Sequence, residues 1–153
     1  MKSQLVTLRM LLMMSVLAVL SSGSFAQKPH FNHTTIFVTD LKRAADFYAN
    51  VMQLEVIPEP FHDNKHVWFK IGEHSELHVV SGASSDIPHD INIHLAFAVP
   101  SVSDFMKHLD DLHVKYGNWA GDPKKTQLRP DKITQIYFQD PDGFWIEVND
   151  DKF

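Results

Sequence analysis

The chain contains no cysteine. That excludes disulfides, thiolate nucleophiles and every zinc site built on Cys. It also means that an oxidising compartment would bring no risk of disulfide scrambling. Positive charge is in short supply too: 14 Lys and Arg stand against 19 Asp and Glu, for a net charge of −5. An acidic surface argues against nucleic acid and anionic membrane as partners. The apolar run from Met10 to Leu20 has only 11 residues, well below the ~20 that cross a bilayer as a helix.

That short run belongs to a leader. Lys2 and Arg9 give a positive start, and Ser24-Phe25-Ala26 places small residues at −3 and −1 of a cut before Gln27. Residues 1–26 therefore read as a secretory signal peptide, with an uncleaved N-terminal anchor as the competing reading. The mature chain, 27–153, is expected to be exported, to the periplasm or beyond, as one domain. Loss of Lys2 and Arg9 takes the charge from −5 to −7 (−5 − 2). All ten histidines fall in the mature part, and histidine is the commonest metal ligand.

The mature chain says nearly the same thing twice. Strand 31–38 is followed by a helix capped at Asp40, with Leu41, Ala44, Ala45, Phe47, Tyr48, Val51 and Met52 at helical spacing. Short strands at 54–58, 66–71 and 75–80 complete a β-α-β-β-β module, about 31–82. A Ser-, Pro- and Asp-bearing linker leads to a second module, about 90–150. It has a strand at 91–99, a helix from the Ser101 cap to about 115 and a weak strand at 116–119. A charged loop at 121–132 precedes strands at 133–138 and 144–149. The helical pairs Asp46-Phe47 and Asp104-Phe105 are expected to correspond. Asp140-Pro141-Asp142-Gly143 is a tight turn, with Pro fixing φ and Gly accepting a positive φ.

Alternation places chemistry on particular strand faces. His94 is expected to share a face with Asn92, Ala96 and Ala98, a small and partly polar surface suited to a cavity. His33 shares one with Phe31, Thr35 and Phe37. Glu147 lies with Trp145 and Asn149, and a carboxylate between apolar flanks is costly without a partner. Strand 75–80 offers Glu76 or His78. First and last strands of each module thus supply His33 with Glu76 or His78, and His94 with Glu147. Such a set suits Zn²⁺, Ni²⁺, Co²⁺, Mn²⁺ or Fe²⁺. The competing reading of a lone strand histidine is a satisfied structural residue, and of Glu147 a solvent-facing carboxylate. His66, Trp68, Trp119 and Tyr137 are candidate cavity walls, with ordinary core as the alternative for Trp68 and Tyr137.

Five segments carry a resemblance. They are 32–41 (Asn-His-Thr-Thr-Ile-Phe-Val-Thr-Asp-Leu), 47–54 (Phe-Tyr-Ala-Asn-Val-Met-Gln-Leu), 77–79 (Leu-His-Val), 94–99 (His-Leu-Ala-Phe-Ala-Val) and 138–147 (Phe-Gln-Asp-Pro-Asp-Gly-Phe-Trp-Ile-Glu). Together the chain resembles the vicinal oxygen chelate superfamily of glyoxalase I, fosfomycin- and bleomycin-resistance proteins and extradiol dioxygenases. The resemblance implies an α+β fold of two βαβββ modules forming a cupped mixed β-sheet around one divalent metal ion. It carries ligand roles onto His33, His94 and Glu147. The fourth position falls on His78, with Glu76 the alternative. It implies a homodimer and a small-molecule substrate.

Such a metal would chelate vicinal oxygens of the substrate, with Glu147 as the catalytic residue that moves a proton. Glyoxalase I-like isomerase or lyase chemistry is the expected activity. The alternatives are an extradiol-type dioxygenase and a non-catalytic binding protein that sequesters its ligand. An export signal counts against a substrate dependent on cytosolic glutathione.

Overall fold

The computed structural model describes residues 27–84 and 87–152, so the signal-peptide reading of 1–26 lies outside the described residues. The chain divides into Met1–His30 and Phe31–Phe153. All regular structure among the described residues belongs to the second unit.

The first module opens with β1 (His33–Val38), whose β-branched and aromatic residues suit a pleated, half-buried surface. Ile36 and Val38 turn to the core while Phe37 turns away. Helix α1 (Leu41–Asn50) starts where expected, at Asp40, whose carboxylate accepts the Arg43 amide at 3.0 Å. It buries Ala44 and Tyr48 and ends before Gln53, which adopts φ 55°. Strands β2 (Glu55–Ile57), β3 (His66–Lys70) and β4 (Glu76–Ser81) follow. The order across the sheet is β1-β4-β3-β2, with β1 and β4 parallel and the other pairs antiparallel.

The second module repeats the plan: β5 (His94–Ala98), α2 (Val102–Asp111), β6 (Tyr116–Gly117), β7 (Gln127–Leu128), β8 (Thr134–Gln139) and β9 (Trp145–Asn149). Its order is β5-β9-β8-β6, with β7 pairing β8 and with β5 parallel to β9. Each module thus forms its own mixed sheet, as the α+β, two-module expectation requires.

Local chemistry corrects four details. Strand β5 begins at His94, not at 91, because the Asp90 carboxylate accepts the Asn92 amide at 2.8 Å and its side chain at 2.7 Å. That closes an Asx turn, so Asn92 is not on the strand face of His94. Helix α2 stops at Asp111 rather than near 115. His113 turns left-handed at φ 56°, while His113 and Val114 amides bond back to Asp110 and Leu109, a Schellman closure. The loop 121–132 contains a strand, β7, too short to leave a periodic signal. Asp46 lies six residues after its N-cap and Asp104 three after its own, so those pairs sit about one turn apart. Phe47 and Phe105 nonetheless both pack on Phe138, at 6.4 and 6.1 Å.

Both helices and the inner faces of both sheets share one core, in which Tyr48, Phe69, Leu77, Leu109, Phe138 and Ile146 are among the fully buried side chains. The Asp-Pro-Asp-Gly turn joins the modules. Tyr48 donates to Asp140 at 2.9 Å, and Asp142 accepts from the Thr39 amide and hydroxyl at 2.7 and 2.6 Å. The core claims one face of each sheet. The opposite faces carry the candidate site.

Candidate metal and active site

His33 and His94 are each the first residue of a module's first strand. Each of these strands runs parallel to the last strand of its module, and the registers match. In the first module His33 lies opposite Glu76 and Thr35 opposite His78. In the second, His94 lies opposite Trp145 and Ala96 opposite Glu147. His78 and Glu147 therefore occupy equivalent positions, and Glu76 is equivalent to Trp145.

The two leading histidines are oriented alike. Nδ1 of His33 bonds the Asn32 side-chain oxygen at 2.7 Å, and Nδ1 of His94 bonds the Ile91 carbonyl at 2.7 Å. An oxygen that can only accept fixes the proton on Nδ1 and leaves Nε2 as the ligand atom in the neutral ring. Nε2 of His94 stands 3.3 Å from Oε2 of Glu147. Two lone-pair atoms at that distance repel unless a proton or a cation stands between them. This pair can share a proton as an ion pair or offer two donor atoms to a cation.

Glu147 is buried and well held. Tyr137 donates to Oε2 at 2.5 Å and Asn149 to Oε1 at 2.7 Å. A carboxylate offers about four lone-pair directions, so it keeps capacity for a cation or a proton. Burial, the bond to Glu147 and that carboxylate's charge push the Tyr137 phenol far above its usual range, so it stays a donor. Trp119 meets Tyr137 edge-on at 5.7 Å.

On the first module's sheet, the His78 ring is sandwiched. Trp68 stacks on one face at 3.8 Å with rings 4° from parallel, and His33 stacks at 4.3 Å and 10°. Glu76 Oε2 meets His78 Nε2 at 2.9 Å. Trp68 is thus half-buried beside a candidate ligand rather than ordinary core. His66 is farther along the same face, bonded to Asp63 at 2.9 Å and stacked on Phe61.

The four expected ligands thus fall into two pairs, His33 with His78 and His94 with Glu147. Among the described residues of one chain, no three His, Asp or Glu side chains form a group able to hold a metal ion. The donor chemistry of the four residues fits a divalent metal, and each pair by itself brings two of them together. Asn149 and Tyr137 as holders of Glu147 were not assigned that role from sequence. Their signal was there, since Asn149 shares Glu147's strand face and Tyr137 is its cross-strand neighbour.

Two modules of one helix and a mixed sheet, each with a histidine on its first strand and a histidine or carboxylate on its last, define a paired-module α+β fold. The chain belongs to the Glyoxalase/Bleomycin resistance protein/Dioxygenase superfamily, whose family model matches residues 30–148. No curated protein matches it in sequence. Among solved structures it is similar to the oxidase ChaP-H1, at TM-score 0.66 and 21% identity over 82% of this chain and 98% of that one. It is also similar to lactoylglutathione lyase from Agrobacterium tumefaciens, at TM-score 0.60 and 20% identity over 81% and 95%. An integron cassette protein from the mobile metagenome of V. cholerae matches at TM-score 0.60 and 23% identity, over 82% and 97%. At these identities the likeness is one of fold.

Proposed function

We propose that the protein is an exported, divalent-metal-dependent enzyme of the glyoxalase I-like type. It would act on a small substrate bearing vicinal oxygens, and two copies would build each site. The observation that carries this reading is the pairing of Nε2 of His94 with the held carboxylate of Glu147, matched by His33 and His78 at equivalent register. The sheet edges support the homodimer. β1 and β5 are both terminal strands of their sheets, and exposed apolar side chains flank them: Phe31 and Phe37 on one, Ile93 on the other. An uncovered edge strand is a template for pairing. Pairing β1 of one copy with β5 of the other, and reciprocally, makes an isologous interface and gives His33 and His78 a route to His94 and Glu147 of the second copy.

His33, His78, His94 and Glu147 would hold the ion. When bound, such an ion polarises substrate oxygens as a Lewis acid. The chain's own groups do the rest. Ile91 and Asn32 fix the imidazole tautomers. Tyr137 and Asn149 aim the Glu147 carboxylate, which takes a substrate proton and returns it to the neighbouring carbon or oxygen. The reading of residues 1–26 as a signal peptide supports an extracytoplasmic location. A substrate other than a glutathione adduct follows from that location.

The test is complementation between two inactive variants. His33→Ala and His94→Ala should each lose metal binding. After unfolding and refolding together, half the dimers are mixed, and each mixed dimer holds one intact site and one doubly defective site. About a quarter of wild-type metal binding should return. Sites built within single chains would recover nothing, and metal-free wild-type protein with full ligand binding would favour the sequestering reading.

A further inference from the structure

Beside Glu147, on the same face of the second module's sheet, lies a cavity of about 570 Å³, within the ordinary range of small-molecule sites. Tyr137, Trp145 and Gly117 line it, with Gln139, Lys115 and His113. Tyr137 joins it to the candidate site, because its hydroxyl is bonded to Glu147. Trp145 joins it again as the cross-strand neighbour of His94. The register of β6 against β8 sets Gly117 opposite Tyr137 and Tyr116 opposite Phe138. One residue earlier, Lys115 falls beside Gln139, on the side of the sheet that carries Glu147.

The electrostatics of this cavity run against those of the molecule. The chain carries −5 overall, yet no Asp or Glu is among the described residues that line the cavity, and Lys115 and His113 are. The other lysines near it are spoken for: Lys124 pairs with Asp110 and Lys125 with Asp122. Among the described residues Lys115 has no ion-pair partner. An ammonium at the rim of a cavity walled by aromatic rings is arranged for an anion on a flat apolar body.

We infer that this cavity binds the substrate's body, with Lys115 holding a carboxylate, phosphate or phosphonate at the end away from Glu147. The inference rests on the proposed chemistry at Glu147 and adds the class of substrate. Lys115 and Trp145 are two strand spacings apart, roughly 10 Å, and the lysine stem takes up part of that span. The substrate's anionic group is therefore separate from its vicinal oxygens, by about the length of one ring. A simple 2-hydroxy acid, whose carboxylate would itself be one of the chelating oxygens, does not fit this arrangement. An aromatic or otherwise planar organic acid does.

The probe pair is phenylacetate and its neutral isostere phenylacetamide, titrated against the Trp145-containing full chain by intrinsic fluorescence at low salt. Phenylacetate should bind about tenfold more tightly, the effect of one charge-assisted contact. Lys115→Gln should bring phenylacetate down to the affinity of phenylacetamide while leaving phenylacetamide unchanged. Lys115→Arg should keep the preference, and so should the control Lys125→Gln. Added salt should narrow the wild-type difference. Equal binding of the two probes, binding of neither, or a preference that survives Lys115→Gln overturns the inference. Metal uptake by the same preparation separates this result from the proposed function. Uptake without an anion preference sinks only the Lys115 subsite, and a preference without uptake sinks only the metal-enzyme reading.

Discussion

Tyr137 donates its hydroxyl to Glu147 at 2.5 Å, and both side chains are buried. The bond crosses from β8 to β9 between residues in direct register. It satisfies a carboxylate that would otherwise sit desolvated beside apolar strands. Tyr137→Phe should cost about 1.5–3 kcal/mol of stability, the range for a hydrogen bond to a charged group, read as a lower urea midpoint. Metal affinity should fall about 10–100-fold, as when an outer partner of a ligand is lost. Unchanged midpoint and affinity would show that Glu147 does not need this donor.

All three tyrosines should resist ionisation in the native protein. Burial leads in each case. Asp140 adds to it at Tyr48, Asp110 at Tyr116 and Glu147 at Tyr137, and all three phenols rise above the usual 10.0. The native state then holds protons that the unfolded chain releases, so stability is whole below pH 10 and declines as pH rises beyond it. Absorbance at 295 nm should show little phenolate at pH 10 in native protein and a normal titration in urea. A native titration centred at 10 would contradict the buried geometry.

Asp142→Asn should loosen the joint between modules. Burial alone would raise this carboxyl, but the Thr39 hydroxyl and amide and the Arg43 guanidinium outweigh it and hold it below 3.8. Its stabilisation is therefore present above 3.8 and lost as acid protonates the folded state. Asp140 runs the other way. Burial raises it despite bonds from Phe144 and Tyr48, so its contribution is present in acid and lost as pH rises. Asp142→Asn should cost about 1–3 kcal/mol at pH 7 and progressively less below pH 4 in urea unfolding. A loss equal at both pH values would exclude the carboxylate's charge as the cause.

His78 and Glu76 should separate as ligand and support. His78 shares Glu147's register position, whereas Glu76 shares that of Trp145 and bonds the His78 ring. His78→Ala should lower metal affinity more than Glu76→Gln, which should cost about 10–100-fold through the loss of an orienting carboxylate. Calorimetric metal titration ranks the two. The reverse ranking would make Glu76 the ligand.

Much of the fold was legible because local rules and packing agree. The Asp40 and Ser101 caps start their helices where the sequence says, since each side chain meets a free amide three residues on. The repeated histidine-bearing strands and the Asp-Pro-Asp-Gly turn led to the right family. The errors fell where side chains compete with the pattern. Asp90 captured Asn92 and shortened β5, and His113 took a left-handed conformation that ordinarily favours glycine or asparagine and shortened α2. Strand β7 is two residues long, below what any period can reveal.

The sequence by itself offered the candidates: His33, His94, Glu147 and either His78 or Glu76 are polar groups in largely apolar strands, and the family resemblance carried ligand roles onto them. Tertiary structure alone decided how those residues are shared out. Strand register is set by hydrogen bonding between segments distant in the chain. That register made His78 the counterpart of Glu147, set Tyr137 and Asn149 around the carboxylate, and brought Lys115 to the rim of the cavity next to it. Which face each sheet gives to the shared core left the two candidate pairs on the opposite faces, because apolar burial is non-directional and gathers the inner faces and both helices into one interior.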